Sequence, residues 1–250
     1  MLPCTPYSCQ VTSSALPDEG GERTRLTKDA VAQRALELAD RVGTEALTIR
    51  KLATDLGVTP MALYWHFRSK DELLTGVADR IWGEVDIAVD WSAPWTDQLQ
   101  GMFTSFLAAL RAHPAAPQLL LRSEKMHSDA AVQTTETALE VLRRAGFSPE
   151  DASAVARAAM WTAIMLVMSE PGSEFSDPEV RTEEQRKHQV ELATLPPAKF
   201  PRLVECAVPM TACDDPEEHY KFGVEMYMAG VTAIAATRAK QPPVNPGPAG

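Results

Sequence analysis

The sequence contains no run of roughly eighteen or more apolar residues, so no transmembrane helix and no membrane partner are expected. Its first 22 residues lack the basic and apolar regions of a secretory signal. Cysteine is scarce. Cys4, Cys9, Cys206 and Cys213 fit neither a disulfide framework nor a zinc site, which predicts a reduced, cytoplasmic protein without metal or other cofactor. Runs of β-branched residues at period two are missing, so no sheet is expected. A Gly-rich phosphate loop, a nucleophile elbow and an H-E-x-x-H motif are also absent, and with them the commonest signatures of catalysis. Apolar residues are not lacking: at 45% they suffice for a folded core.

Charge is unevenly placed. The formal net charge is −10. Residues 23–70 nevertheless hold nine Lys and Arg against five Asp and Glu, a net +4, while residues 71–250 carry −11 and residues 1–22 carry −3. One short basic segment suits a module that docks on phosphate while an acidic remainder is repelled into solvent.

The pattern along the chain predicts an all-α protein. Residues 1–22 read as a disordered arm, 23–70 as a helix-turn-helix DNA-binding domain, 71–240 as a larger helical domain, and 241–250 as a Pro-rich tail. A first helix over 27–42 places Val31, Ala35, Leu38, Ala39 and Val42 on one stripe and stops at Gly43. Thr48 caps a second helix. Gly57 permits a turn, and Thr59-Pro60 starts a short third helix. Ser69 and Glu72 form a capping box for a fourth. Further starts are read at Thr96, Ser128, Ser148-Pro149, residue 178 and Asp215-Pro216, giving nine or ten helices.

Two helices joined through Gly57, with small Ala53 where they approach, make a helix-turn-helix whose second member enters a DNA major groove. Residues 47–74, LTIRKLATDLGVTPMALYWHFRSKDELL, resemble the DNA-binding signature of the tetracycline-repressor (TetR) family of transcriptional regulators. The likeness spans Thr27 to Val85. AGFSPEDA (145–152) and FGVEMYMAG (222–230) are similar to segments of its tetracycline-repressor branch. The resemblance implies a homodimeric, ligand-responsive repressor that binds double-stranded palindromic operator DNA and an unknown small-molecule effector.

Each residue of the module has a chemical reading. Thr48 and the start of its helix offer a hydroxyl and backbone N–H groups to a phosphate. By resemblance Arg50 reaches a base edge, guanine by preference. Thr59 serves a base or a phosphate, while Pro60 and Met61 read a thymine methyl or exclude water. Tyr64, His66 and Lys70 match positions that contact phosphates in the family. Trp65 reads equally as a DNA contact or a packing residue.

The resemblance places pocket walls at Met102, Phe106, Met160, Trp161 and Ile164, with Trp82 and Asp86 on the fourth helix. The same residues also read as plain core. Asp86 or Arg122 is the candidate polar anchor. Dimerisation falls to helices 149–168 and 216–236, where Ala152, Ala156, Ala159 and Ala163 face Gly223, Tyr227, Gly230 and Ile234 as small or apolar contacts. Glu124/His127 has the E-x-x-H spacing of di-iron bundles, but no second pair accompanies it. Glu184/His188 sits in a very polar helix and reads as a solvated face. An effector-independent activator or architectural protein and a helical-bundle enzyme are the alternative functions.

Overall fold

The computed structural model describes residues 26–122, 128–171, 173, 177–212 and 215–240. Among these residues the chain forms twelve α-helices and no strand. They are α1 (Lys28–Val42), α2 (Ile49–Asp55), α3 (Pro60–Tyr64), α4 (Lys70–Gly83), α5 (Trp95–Ala112) and α6 (Ala116–Arg122). There follow α7 (Asp129–Arg144), α8 (Pro149–Met168), α9 (Pro178–Ala193), α10 (Pro201–Glu205), α11 (Ala207–Thr211) and α12 (Pro216–Ala239). The predicted arm at 1–22, the tail at 241–250 and the Glu124/His127 pair lie outside the described residues.

Local chemistry explains most of the helix starts. The hydroxyls of Thr27, Thr48, Thr59, Ser69, Ser128 and Ser148 each accept a backbone N–H three residues on, satisfying a donor that has no partner within its helix. Two expectations need correction. Thr96 is not a cap: α5 starts at Trp95 behind Pro94, which offers no side-chain bond. The box at Ser69 is also offset. Glu72 returns its bond to the N–H of Arg68 at 2.7 Å rather than to that of Ser69. The short helices α6, α10 and α11 have no cap signal in their sequences and were not foreseen.

Helices α1–α3 form a head around Val31, Ala35, Leu47, Leu52, Ala53, Leu63 and Phe67, all buried. Arg34 and Arg41 of α1 both reach the Asp55 carboxylate at the end of α2, at 2.6 and 2.7 Å, and lock the two helices together. Helix α4 leaves the head and enters the body. Its buried face, from Leu73 to Trp82, packs against α1 on one side and α6 and α7 on the other. The apolar core therefore runs without a break from head to body.

The body is a bundle in which α5, α7, α8 and α12 pack on one another. Helices α12 and α8 approach closely at Gly223, where a Cβ would stand 2.4 Å from Leu166 Cδ2 of α8. Here the dimerisation reading is corrected in detail. Ala152, Ala163, Gly223 and Tyr227 are buried within the protomer, and Tyr227 stacks on Phe103. The outer faces of the same helices carry Trp161, Met165 and Met168 on α8, and Phe222 and Met226 on α12 beside the predicted Gly230 and Ile234, all exposed. Helix α8 is long and apolar, and α5, α7 and α12 pack against it within the bundle. Helix α9 buries no residue of its own and packs against α10 and α11.

Candidate nucleic-acid interface

The link between α2 and α3 is built from a single backbone device. Gly57 adopts φ +67°, a left-handed conformation that costs a side-chain-bearing residue roughly 1–2 kcal/mol. That conformation lets Gly57 N–H reach Thr54 O at 3.1 Å and Val58 N–H reach Ala53 O at 2.9 Å. The pair closes α2 as a Schellman motif and turns the chain sharply toward α3. Ala53 is buried where the helices meet, and Leu63 and Phe67 anchor α3 from below. The outer side of α3 is left uncovered.

That side carries the predicted reading residues. Met61 is 66% exposed and Trp65 86%, the largest value among the exposed large hydrophobics, while Tyr64 is also exposed. Burying none of these large side chains is unfavourable for an isolated protomer, and nothing in the head requires it. The packing reading of Trp65 is thus not what the fold uses. Thr48, Arg50, Thr59 and Pro60 are exposed beside them, and His66 and Lys70 are half-buried. Thr48 and Thr59 already spend one lone pair on caps, to Lys51 N–H at 3.1 Å and Ala62 N–H at 3.4 Å, but each keeps an O–H to donate.

Electrostatics divides the cations of this region into two groups. Lys28 pairs with Glu72, Arg34 with Glu37 and Asp55, Arg41 with Asp55, and Arg80 with Asp29. Those charges hold the head together. Arg50, Lys51, Arg68 and Lys70 form no ion pair among the described residues. Two of this second group, Lys51 and Arg68, were not singled out from sequence. Their charge was visible, but only the fold shows that neither forms an ion pair among the described residues. An open hollow of about 420 Å³ lies beside Thr48, Arg50, Lys51 and Thr54. Glu72 is not available to quench this surface. The Arg68 N–H and the Lys28 ammonium hold its carboxyl below the ordinary value of 4.5 and occupy both its oxygens.

The predicted ligand residues separate into groups. Trp82, Met102, Phe106 and Ile164 are buried in the body, and Met160 is half-buried. Trp82 and Phe106 stack face to face across α4 and α5. Asp86 is exposed at the rim of a recess of about 230 Å³, which Met102, Ser105, Val89 and Asp97 also line. The remaining two stand elsewhere. Trp161 lies on the outer face of α8, 46% exposed, and Arg122 pairs with Glu45 of the head. Glu184 is bound to Lys187 at 2.6 Å on the surface of α9. Among the described residues, no three His, Cys, Asp or Glu side chains cluster as metal ligands.

Comparison with known proteins adds an independent line. Residues 32–77 match the model for bacterial regulatory proteins of the tetR family, and residues 92–235 match the tetracyclin repressor-like C-terminal domain. The tetracycline repressor protein class C of Escherichia coli is 30% identical over 229 residues, covering 85% of this chain and 94% of that one. An HTH-type transcriptional regulator of Saccharopolyspora erythraea is 29% identical over 217 residues, covering 84% and 86%. Among solved structures, the Streptomyces coelicolor TetR family protein ActR in complex with actinorhodin superposes with a TM-score of 0.74 at 26% identity, covering 84% of this chain and 98% of that one. BioQ with its double-stranded DNA operator gives 0.56 at 25% identity, covering 84% and 99%.

Proposed function

This chain belongs to the tetR family of bacterial regulatory proteins, and on that premise we propose that it is a homodimeric, ligand-responsive repressor that reads a palindromic operator in the cytoplasm. The observation that carries this reading is the surface of α2 and α3. Four cations that form no ion pair among the described residues, Arg50, Lys51, Arg68 and Lys70, share this head with exposed Met61, Tyr64 and Trp65. Cations left free in this way are available to displace counterions from DNA phosphates. The flat side chains of the same head suit the groove floor and the sugar edges.

In this reading Thr48, Tyr64, His66 and Lys70 hold phosphates, and Lys51 and Arg68 join them. Arg50 reads a base edge. Thr59, Pro60 and Met61 enter the groove first, with Trp65 beside them. One head makes too few contacts for specificity, so two heads about 34–36 Å apart, one helical turn of DNA, bind together. The exposed apolar faces of α8 and α12 supply the protomer contact, and BioQ with its operator offers a related precedent for the DNA-bound state.

In this reading the effector binds in the body, where Trp82, Met102, Phe106 and Ile164 are buried and Met160 is half-buried, with Asp86 and Met102 at the recess beside them supporting the choice. It releases DNA only by preferring a conformer whose heads no longer match the half-sites. Equal affinity for both conformers would shift nothing. The protein acts as a regulator and performs no catalytic step.

Selection of bound duplexes from a random pool, at several salt concentrations, tests the reading. A palindrome is expected. Tyr64→Ala and Lys70→Ala should weaken binding to all sequences alike, Lys70→Ala also flattening its salt dependence, while Arg50→Ala should also change the preferred base. A protein indifferent to duplex DNA at low ionic strength would overturn the proposal.

A further inference from the structure

Helix α4 is the obvious connection between head and body, but a second one bypasses it. The corner between α5 and α6, residues 113–122, is bonded directly to the end of α1 and the turn that follows it. His113 Nδ1 lies 2.8 Å from Asp40 Oδ2 of α1, and its Nε2 lies 3.2 Å from Glu84 Oε2 at the C-terminal end of α4. The other Asp40 oxygen accepts the N–H of Ala115 at 2.9 Å. Four residues on, buried Thr44 donates its hydroxyl to Gln118 Oε1 at 2.6 Å. Glu45 pairs with Arg122 at the far end of α6.

These bonds differ from the other polar contacts of the head. Arg34 and Arg41 tie α1 to α2 and stay within the head. The bonds of Asp40, Thr44 and Glu45 all cross to the body, on one side of α1. His113 is mostly enclosed, with 15% of its side chain exposed, and Asp40 with 19% is similar. A neutral imidazole has one N–H and can donate to only one of these carboxylates, whereas the imidazolium donates to both. The contact therefore has a defined geometry, with one ring nitrogen aimed at α1 and the other at α4. Such partly buried, directional bonds fix an angle in a way that apolar packing alone does not.

We propose that the α5–α6 corner is a strut that sets the pitch of the reading head, making His113, Thr44 and Gln118 positioning residues for operator half-site spacing. This rests on the dimeric operator-binding reading above. In a dimer, a small change in head angle is multiplied by the distance from the protomer contact to α3. The strut thus decides which separation of half-sites the two heads can bind together, while each head keeps its own base contacts.

The test uses duplexes with two selected half-sites separated by spacers of different lengths, and a duplex with a single half-site. The wild-type protein should prefer one spacer by about tenfold or more, a difference of roughly 1.4 kcal/mol. His113→Ala and Thr44→Val should each flatten that preference to about threefold or less, with binding to the single half-site changed less than about twofold. Thr44→Ser, which keeps the hydroxyl donor, should retain wild-type spacing selectivity. Thermal melting confirms that the variants compared are folded, and Thr44→Val, isosteric with the native residue, stands in if His113→Ala is not. Unchanged spacer preference in either folded variant would overturn the strut and leave the DNA-binding reading intact. Equal loss on single and paired half-sites would also overturn it, as a general folding defect. A wild-type protein that binds no duplex would overturn the underlying reading and this inference with it.

Discussion

Trp82 of α4 lies flat on Phe106 of α5, ring centroids 4.5 Å apart and planes within 5° of parallel. This stack joins the helix that leaves the head to the first helix of the body, and both rings are buried. Truncating either ring leaves a cavity against a partner that cannot collapse around it. Phe106→Ala should destabilise the protein by about 3–5 kcal/mol, read as a lowered midpoint in urea unfolding with an unchanged slope. A loss below about 1 kcal/mol would mean that the stack is not a core contact.

Trp65 presents the opposite case. At 86% exposure it contributes little to the fold, so Trp65→Ala should change unfolding free energy by no more than about 0.5 kcal/mol. The same variant should bind operator duplex about tenfold more weakly if the proposed reading holds, because that reading sets the exposed ring against DNA. Melting curves and fluorescence titration of the same preparation separate the two effects. A large stability loss with unchanged DNA affinity would reverse the assignment.

Gly57 has open space where a Cβ would stand, so a substitution there meets no steric clash. The cost of Gly57→Ala is conformational, arising from φ +67°, and should be about 1–2 kcal/mol by thermal denaturation. Gly57→Asn should cost less, since asparagine tolerates the left-handed region better. If alanine and asparagine behave alike, the turn relaxes by another route.

The apolar outer faces of α8 and α12 set an assembly prediction. Phe222 is 67% exposed on the face of α12 opposite buried Tyr220, Gly223 and Tyr227. Phe222→Asp places a charge on that face of each protomer, where desolvation and like-charge repulsion both oppose association. Sedimentation should then show a monomer with wild-type helix content and reduced affinity for the paired operator. A dimer that persists would move the protomer contact elsewhere.

Much of the head was legible in the sequence because its determinants are local. Thr48, Thr59 and Ser69 are caps, Gly57 supplies a positive φ, and Pro60 sits where its missing N–H is harmless. Each acts within a few residues of itself. The exposure of Met61 and Trp65 follows from the same short-range geometry. The dimer face was read less well. Ala152, Gly223 and Tyr227 looked like contacts between protomers, but a helix with small residues on one side and Met or Phe on another does not itself say which side meets its own bundle. The pairing of Arg122, one of two candidate polar anchors beside Asp86, was not legible either, because its partner Glu45 stands 77 residues earlier in the chain.

The amino-acid order alone determined the helical class, the turn of the reading head and the basic character of its surface, since all three arise from backbone preferences and from charge counted over a short segment. Only the tertiary structure decided which cations are neutralised, which face of α8 and α12 is left bare, and how the α5–α6 corner grips α1. Those outcomes depend on groups brought within a few ångströms from distant parts of the chain, and Coulomb and hydrogen-bond energies are set by that separation rather than by order along the sequence.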